Sequence, residues 1–205
     1  MKFTRMEWYQ VKNIDEIPSP SVLVYPERIE RNILKMIEIA GGTERLRPHV
    51  KTHKTPEIVK MQMKDGISKF KCATISETEM VASCGAKDIL LGMQPVGPNL
   101  HRFFELRKNY RSLGISCLAD NEADIQKISA MASVYGIETT VWLDINVGMN
   151  RTGIASGKKA AELYMRIMSS PYLKAGGLHV YDGHIHEHDL QKRKELCNAA
   201  FAPVG

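Results

Sequence analysis

Apolar residues recur along this chain with two alternating periods, and the switches between them mark a strand–helix rhythm. Ile29, Ile33, Met36, Ile37 and Ala40 lie at helical spacing behind Pro26, and Gly41-Gly42 stops the run, which predicts a helix over 26–40. Further helices are predicted at about Pro56–Met63, Ser76 to the Gly85 stop, and Leu100–Lys108. Three more run from an Asp120 or Asn121 cap to Tyr135, around Ser156–Ser169, and to an end near Ala200. Ser76-x-x-Glu79 reads as the capping box of the helix that Gly85 ends. Between the helices lie β-prone runs at Leu46–Lys51, Phe70–Thr74, Asp88–Gly92, Ile115–Ala119, Thr139–Ile145 and Lys174–Tyr181. Along Thr139–Ile145, Val141, Leu143 and Ile145 share one face, and Trp142 and Asp144 the other. A separate run, Ser21–Tyr25, follows the break at Pro18-Ser19-Pro20 and is predicted to enter the domain as a short strand. The rhythm argues for right-handed βαβ units around a parallel sheet, an α/β fold in one domain over 1–205. Rhythm alone does not separate a closed barrel from a doubly wound sheet, but no G-x-G-x-x-G follows a strand, which counts against a dinucleotide fold.

Composition narrows the function classes. The 205 residues are 43% hydrophobic and 25% charged, an ordinary soluble balance. The net charge of +5 is mild and its lysines and arginines are scattered, so nucleic acid is not expected as a partner. Cys72, Cys84, Cys117 and Cys197 form no C-x-x-C pair and no secreted framework, which points to a reducing cytoplasm. The leader, 1–10, is charged, and no stretch approaches the roughly 20 apolar residues of a membrane span, so no membrane association is expected.

Candidate chemistry concentrates in Leu46–Pro56, Leu-Arg-Pro-His-Val-Lys-Thr-His-Lys-Thr-Pro. If Leu46–Lys51 is extended, Arg47, His49 and Lys51 share a face, with Leu46, Pro48 and Val50 on the other. Thr55 then caps a helix that begins at Pro56, and Lys51 stands at a strand's C-terminal end, where parallel α/β proteins carry their chemistry. Lys54 falls just before the cap, where a lysine is normally solvated. Lysine chemistry needs an amine that can be neutral near pH 7, which burial or a cation such as Arg47 or protonated His49 would favour. Taken alone, the stretch also fits a solvated basic loop.

Arg-Pro-His-Val-Lys-Thr-His-Lys-Thr resembles the pyridoxal-phosphate lysine motif of the D-threonine aldolase and D-serine dehydratase family, and the similarity continues from Pro18 to the Gly183-His184 region. That family has the alanine racemase type of (β/α)8 barrel, fold type III, which the resemblance implies here. In it the first lysine of Lys-Thr-His-Lys carries the cofactor as a Schiff base, a role that falls on Lys51, with His49 beside it. Trp142–Gly153 resembles a second signature, a strand followed by Gly-Met-x-Arg-x-Gly, which implies that Arg151 lies near the cofactor's phenolic oxygen. Asn146 stands where an acid is frequent. Tyr181 falls where relatives set an aromatic or a histidine against the pyridine ring, and His184 where related aldolases carry a working histidine. Histidine is also the residue type suited to accepting a hydroxyl proton near neutrality.

Each of these residues has a plainer alternative: a surface arginine in a βα turn, a half-buried core tyrosine, a histidine that only caps the next helix. His184, His186 and His188 alternate without a matching Cys or carboxylate pattern, a weak signal for zinc. The resemblance puts a divalent metal on residues mainly outside this chain. Counting from Leu46, about six barrel strands are present where closure needs about eight, so the barrel is expected to be incomplete. The last strands and a following β-rich domain would then lie outside this chain. The activity so implied is metal-assisted, pyridoxal-phosphate-dependent cleavage of D-β-hydroxy amino acids, D-threonine first, by a full-length homodimer. The alternatives are D-serine dehydration and cofactor binding without turnover.

Overall fold

The computed structural model describes residues 7–204 of the protein; 1–6, the start of the charged leader, and 205 lie outside the described residues. The elements run α1 (Pro26–Ala40), α2 (Pro56–Lys64), β1 (Lys69–Cys72), α3 (Ile75–Ser83), β2 (Asp88–Leu91), α4 (Pro98–Asn109) and β3 (Gly114–Ala119). Then come α5 (Glu122–Tyr135), β4 (Thr139–Asn146), β5 (Ile154–Ala155), α6 (Lys158–Ser169), β6 (Leu173–Val180) and α7 (Leu190–Phe201). The main strands pair in parallel in the order β1-β2-β3-β4-β6, and the two-residue β5 adds to the C-terminal end of β4. Between consecutive main strands the chain returns through a helix, so the strands' C-terminal ends gather on one side.

Residues of alternate parity on each strand build the core. Phe70, Cys72, Ile89, Leu91, Ile115, Cys117, Val141 and Leu143 are all nearly or fully buried, and Phe103, Phe104, Ile125 and Ile128 of α4 and α5 cover them. Phe103 and Phe104 meet edge to face at 5.4 Å between ring centroids. Burial of each such ring contributes roughly 1.5–3 kcal/mol, so this layer fixes the sheet's outer side. The opposite face carries polar groups. There Trp142 donates from Nε1 to Ser116 Oγ at 3.2 Å, and the Arg47 guanidinium stands 5.7 Å from its ring. A Cβ at Gly176 would come within 2.7 Å of the indole, and Gly177 has φ +127° where the β4–β6 register shifts. The Gly176-Gly177 pair thus lets β6 pass the tryptophan.

Three expectations are corrected. Leu46–Lys51 is not a strand: only His49 bridges Lys71, and Val50–Thr52 forms a 3-10 turn in which His49 Nδ1 accepts from the Lys51 N–H at 3.4 Å. Ser21–Tyr25 has no strand partner among the described residues, and Val22 is 89% exposed. The box at the start of α3 is Thr74-x-x-Glu77, not Ser76-x-x-Glu79. Thr74 Oγ1 accepts from the Glu77 N–H at 3.1 Å, and Glu77 Oε2 accepts from the Ala73 N–H at 2.7 Å. With β1 ending at Cys72, Ser76 already lies inside the helix. Elsewhere helices and strands fall within a few residues of their expected bounds, and Asn121 rather than Asp120 caps α5.

Candidate active site

At the strands' C-terminal ends, a cavity of about 230 Å³ is lined by His49, Lys51, Lys71, Gly92, Arg151 and Tyr181, among others. Three cations face it and none of its lining residues is a carboxylate, so its field favours an anionic ligand. Four of the five residues singled out from the sequence therefore meet here: His49, Lys51, Arg151 and Tyr181.

Each is positioned by local chemistry. Val50, fully buried, anchors the 3-10 turn and leaves Lys51 exposed toward the cavity. Lys54 is largely solvent-exposed, as expected, but it is engaged: it has φ +50°, and its Nζ pairs with Glu77 Oε1 at 2.9 Å. Arg151 sits on a turn organised by Asn146, whose Oδ1 accepts from Gly148 N–H at 3.0 Å and Asn150 N–H at 3.1 Å. An acid at 146 is therefore not what this turn needs; an amide side chain also donates to Asn150 Oδ1. Gly153, at φ +94°, lies so close to β4 that a Cβ would come within 2.7 Å of the Asn146 nitrogen. Tyr181 is 38% exposed, not a core residue, and cations flank its ring: Arg151 Cζ at 5.4 Å and Lys71 Nζ at 5.7 Å from the centroid. A side chain at Gly183 would overlap that ring.

His49 is not protonated near neutrality. Burial, then the Lys71 and Lys51 ammonium groups, depress its pKa to about 4. Arg47 is held by Asp88 through two contacts of 2.6 and 2.8 Å. The cation that shares the cavity with Lys51 is instead Lys71, which the sequence reading missed; burial lowers its pKa and Lys51 adds to that shift. Lys71 Nζ meets His179 Nε2 at 2.5 Å, and His179 Nδ1 meets Asp144 Oδ1 at 2.6 Å. Gln94 Nε2 donates to Asp144 Oδ2 at 3.2 Å and to Asp120 Oδ2 at 3.0 Å. Burial would raise the Asp144 pKa, but hydrogen bonds from His179, Thr152 and Gln94 outweigh it and hold it below the ordinary value. A signal was available: Asp144 is a charge inside a buried parallel strand, where an unpaired charge is not tolerated.

His184 stands apart. It is exposed and not among the cavity's lining, and its Nε2 lies 2.8 Å from where a Gly148 Cβ would be. His186 and His188 are exposed too, and no group of three or more His, Cys, Asp or Glu among the described residues could hold a metal ion. A larger cavity of about 490 Å³ lies between β4, β6 and α6, but its apolar walls, including Leu143, Ile145, Met165 and Leu178, offer little chemistry. Among the described residues no helix is long and apolar enough to cross a membrane.

The sequence profile of the alanine racemase N-terminal domain matches residues 24–202. The chain belongs to this family, the fold-type III pyridoxal-phosphate superfamily. A 3-hydroxy-D-aspartate aldolase of Paracoccus denitrificans (strain Pd 1222) is 30% identical over 193 residues, 92% of this chain and 49% of the relative. D-threo-3-hydroxyaspartate dehydratase of Delftia sp. (strain HT23) is 27% identical over 175 residues, 84% of this chain and 46% of the relative. The crystal structure of D-threonine aldolase from Filomicrobium marinum superposes with a TM-score of 0.84 at 28% identity, covering 93% of this chain and 52% of that one. The chain thus spans about half the length of the relatives it matches. The open parallel arc is an incomplete (β/α)8-type barrel of the alanine racemase fold.

Proposed function

We propose that this chain supplies the cofactor-bearing part of a pyridoxal-phosphate-dependent lyase that cleaves D-β-hydroxy amino acids, with D-threonine to glycine and acetaldehyde the first reading. The observation that carries it is the pairing of an exposed Lys51 with an otherwise cationic, carboxylate-free cavity, while Lys54 is committed to Glu77. The residues fit the cofactor chemically. Lys51 offers an amine for its aldehyde, Arg151 offers positive charge to its anionic oxygens, and Tyr181 offers a flat ring to its pyridine. When bound, pyridoxal phosphate supplies an electron sink for charge that develops at the substrate Cα.

In this reading Lys51 Nζ holds the cofactor, Arg151 fixes its orientation from the Asn146-organised turn, and Tyr181 confines one face. His49, neutral, accepts the Lys51 N–H through Nδ1 and so orients the turn that bears the lysine. His184, whose ring lies against the turn that carries Arg151, is assigned the proton of the substrate β-hydroxyl.

The two aldolases named among the relatives support carbon–carbon cleavage. The dehydratase relative supports a second reading, elimination of the β-hydroxyl. The holoenzyme is to be fed D-threonine and D-serine separately. Glycine with acetaldehyde supports the first reading, pyruvate with ammonia supports the second, and cofactor uptake without either product makes the protein a carrier.

A further inference from the structure

We propose that Lys71, His179 and Asp144 form a proton relay, and that Lys71 is a second acid–base residue of the cavity, acting at the substrate Cα. The proposal rests on the cofactor reading of the cavity but assigns a role to residues that reading does not use. Lys71 comes from β1 and crosses the sheet's inner face to His179 on β6, which lies directly opposite Asp144 of β4. A lysine tethered only for packing would not need an imidazole and a buried carboxylate aligned behind it.

The order of partners fixes the proton positions. Asp144 Oδ1 accepts the His179 Nδ1–H, so His179 Nε2 carries a lone pair toward Lys71 and accepts one of its N–H protons. As a neutral amine, Lys71 then has its lone pair free for the cavity it lines. Facing Lys71 are Lys51 and His49 from the 3-10 turn and its approach, Arg47 before them, Arg151 and Tyr181 beyond the strand ends, and the His179–Asp144 pair. Burial lowers the Lys71 pKa; Asp144 opposes this, and Lys51, Arg151 and Arg47 reinforce it.

The step balances without an added reagent. Lys71 Nζ uses its lone pair to take a proton from Cα, and the electron pair of the broken C–H bond stays on the substrate. A proton of the resulting ammonium passes to His179 Nε2, giving an imidazolium beside the Asp144 carboxylate. In the reverse direction the same relay delivers a proton to Cα. Gly92 keeps the path clear, since a side chain there would overlap Lys71 Cε.

Arginine keeps the charge of Lys71 but cannot be deprotonated, so Lys71→Arg separates proton transfer from charge. In the holoenzyme, Lys71→Arg should keep the borohydride-trapped cofactor on Lys51. Exchange of the glycine Cα–H with solvent deuterium should fall by roughly 10²–10⁴-fold, the usual worth of an acid–base group. Lys71→Ala should regain exchange on addition of small primary amines, in proportion to their basicity. Exchange in Lys71→Arg within a few-fold of the native rate, or no amine rescue, would overturn the proposal. A second arm needs no cofactor: pH-dependent acetylation of the unloaded protein, read residue by residue. Lys71 should titrate below the ordinary lysine value, and Asp144→Asn should move its midpoint; a Lys71 that titrates like a solvent lysine and ignores Asp144 would also overturn it. Failure of native protein to trap cofactor on Lys51 would instead strike the cofactor reading, with the acetylation arm still deciding the relay.

Discussion

Lys51 and Lys54 occupy one Lys-Thr-His-Lys motif, yet Lys51 lines the cavity while Lys54 pairs with Glu77, so under the proposed function their alanine variants should fail in opposite ways. Lys54→Ala removes the partner of Glu77, whose side chain is 5% exposed against 62% for Lys54. Breaking a fully buried pair costs about 3–5 kcal/mol, and an exposed one about 0–1 kcal/mol. Here the ammonium is mostly in water, and Glu77 keeps the Ala73 N–H at 2.7 Å, so about 1–2 kcal/mol is expected. For a chain of this size that lowers Tm by roughly 2–8 °C. Burial would raise the Glu77 pKa, but the Ala73 N–H and Lys54 hold it below its ordinary value. The pair therefore stabilises the fold above the ordinary carboxylate pKa and loses its effect as pH falls through the depressed folded value. Denaturant unfolding at pH 7 should separate Lys54→Ala from native protein, and the gap should close in strong acid. Lys51→Ala, at an exposed position, should change stability by less than about 0.5 kcal/mol. In the holoenzyme it should abolish the lysine–cofactor absorbance and leave borohydride nothing to trap. Loss of trapping in Lys54→Ala, or unfolding caused by Lys51→Ala, would refute this division.

Gly183→Ala puts a methyl group into the Tyr181 ring, so the ring must swing away. Cofactor affinity should fall roughly 3–10-fold, the worth of about 0.5–1.5 kcal/mol of aromatic contact, in an equilibrium titration, while Tyr181→Phe should keep it. His184→Ala in the holoenzyme should preserve cofactor trapping while turnover falls by roughly two to four orders of magnitude; near-normal turnover would remove His184 from the reacting end. His49 is held neutral in the folded chain to about pH 4, whereas an unfolded histidine protonates near 6.5. The unfolded state thus binds the extra proton in that window, so stability is complete above about pH 6.5 and declines as pH falls toward 4. With His49 only partly buried, the loss should be about 1–2 kcal/mol, and His49→Gln should flatten that part of the stability–pH curve.

Local pattern determined most of the architecture of this protein. Helical spacing behind Pro26 and Pro56, the Gly41-Gly42 stop and the apolar parity of Val141, Leu143 and Ile145 are decided by neighbours a few residues away, and these elements formed as read. The lysine motif likewise marked Lys51, and it faces the cavity although a 3-10 turn replaced the expected strand, because Val50 is buried and Lys51 is exposed in either geometry. Tertiary structure decided what depends on distant partners. Ser21–Tyr25 has the composition of a strand, but composition does not supply a pairing edge. Lys54 is a surface lysine until α3 brings Glu77 to it from 23 residues away. Lys71 and His179 are 108 residues apart, and the sequence reading singles out neither. Only closure of the strands into an arc sets β1 opposite β6, and only that closure makes an ordinary strand lysine part of the site.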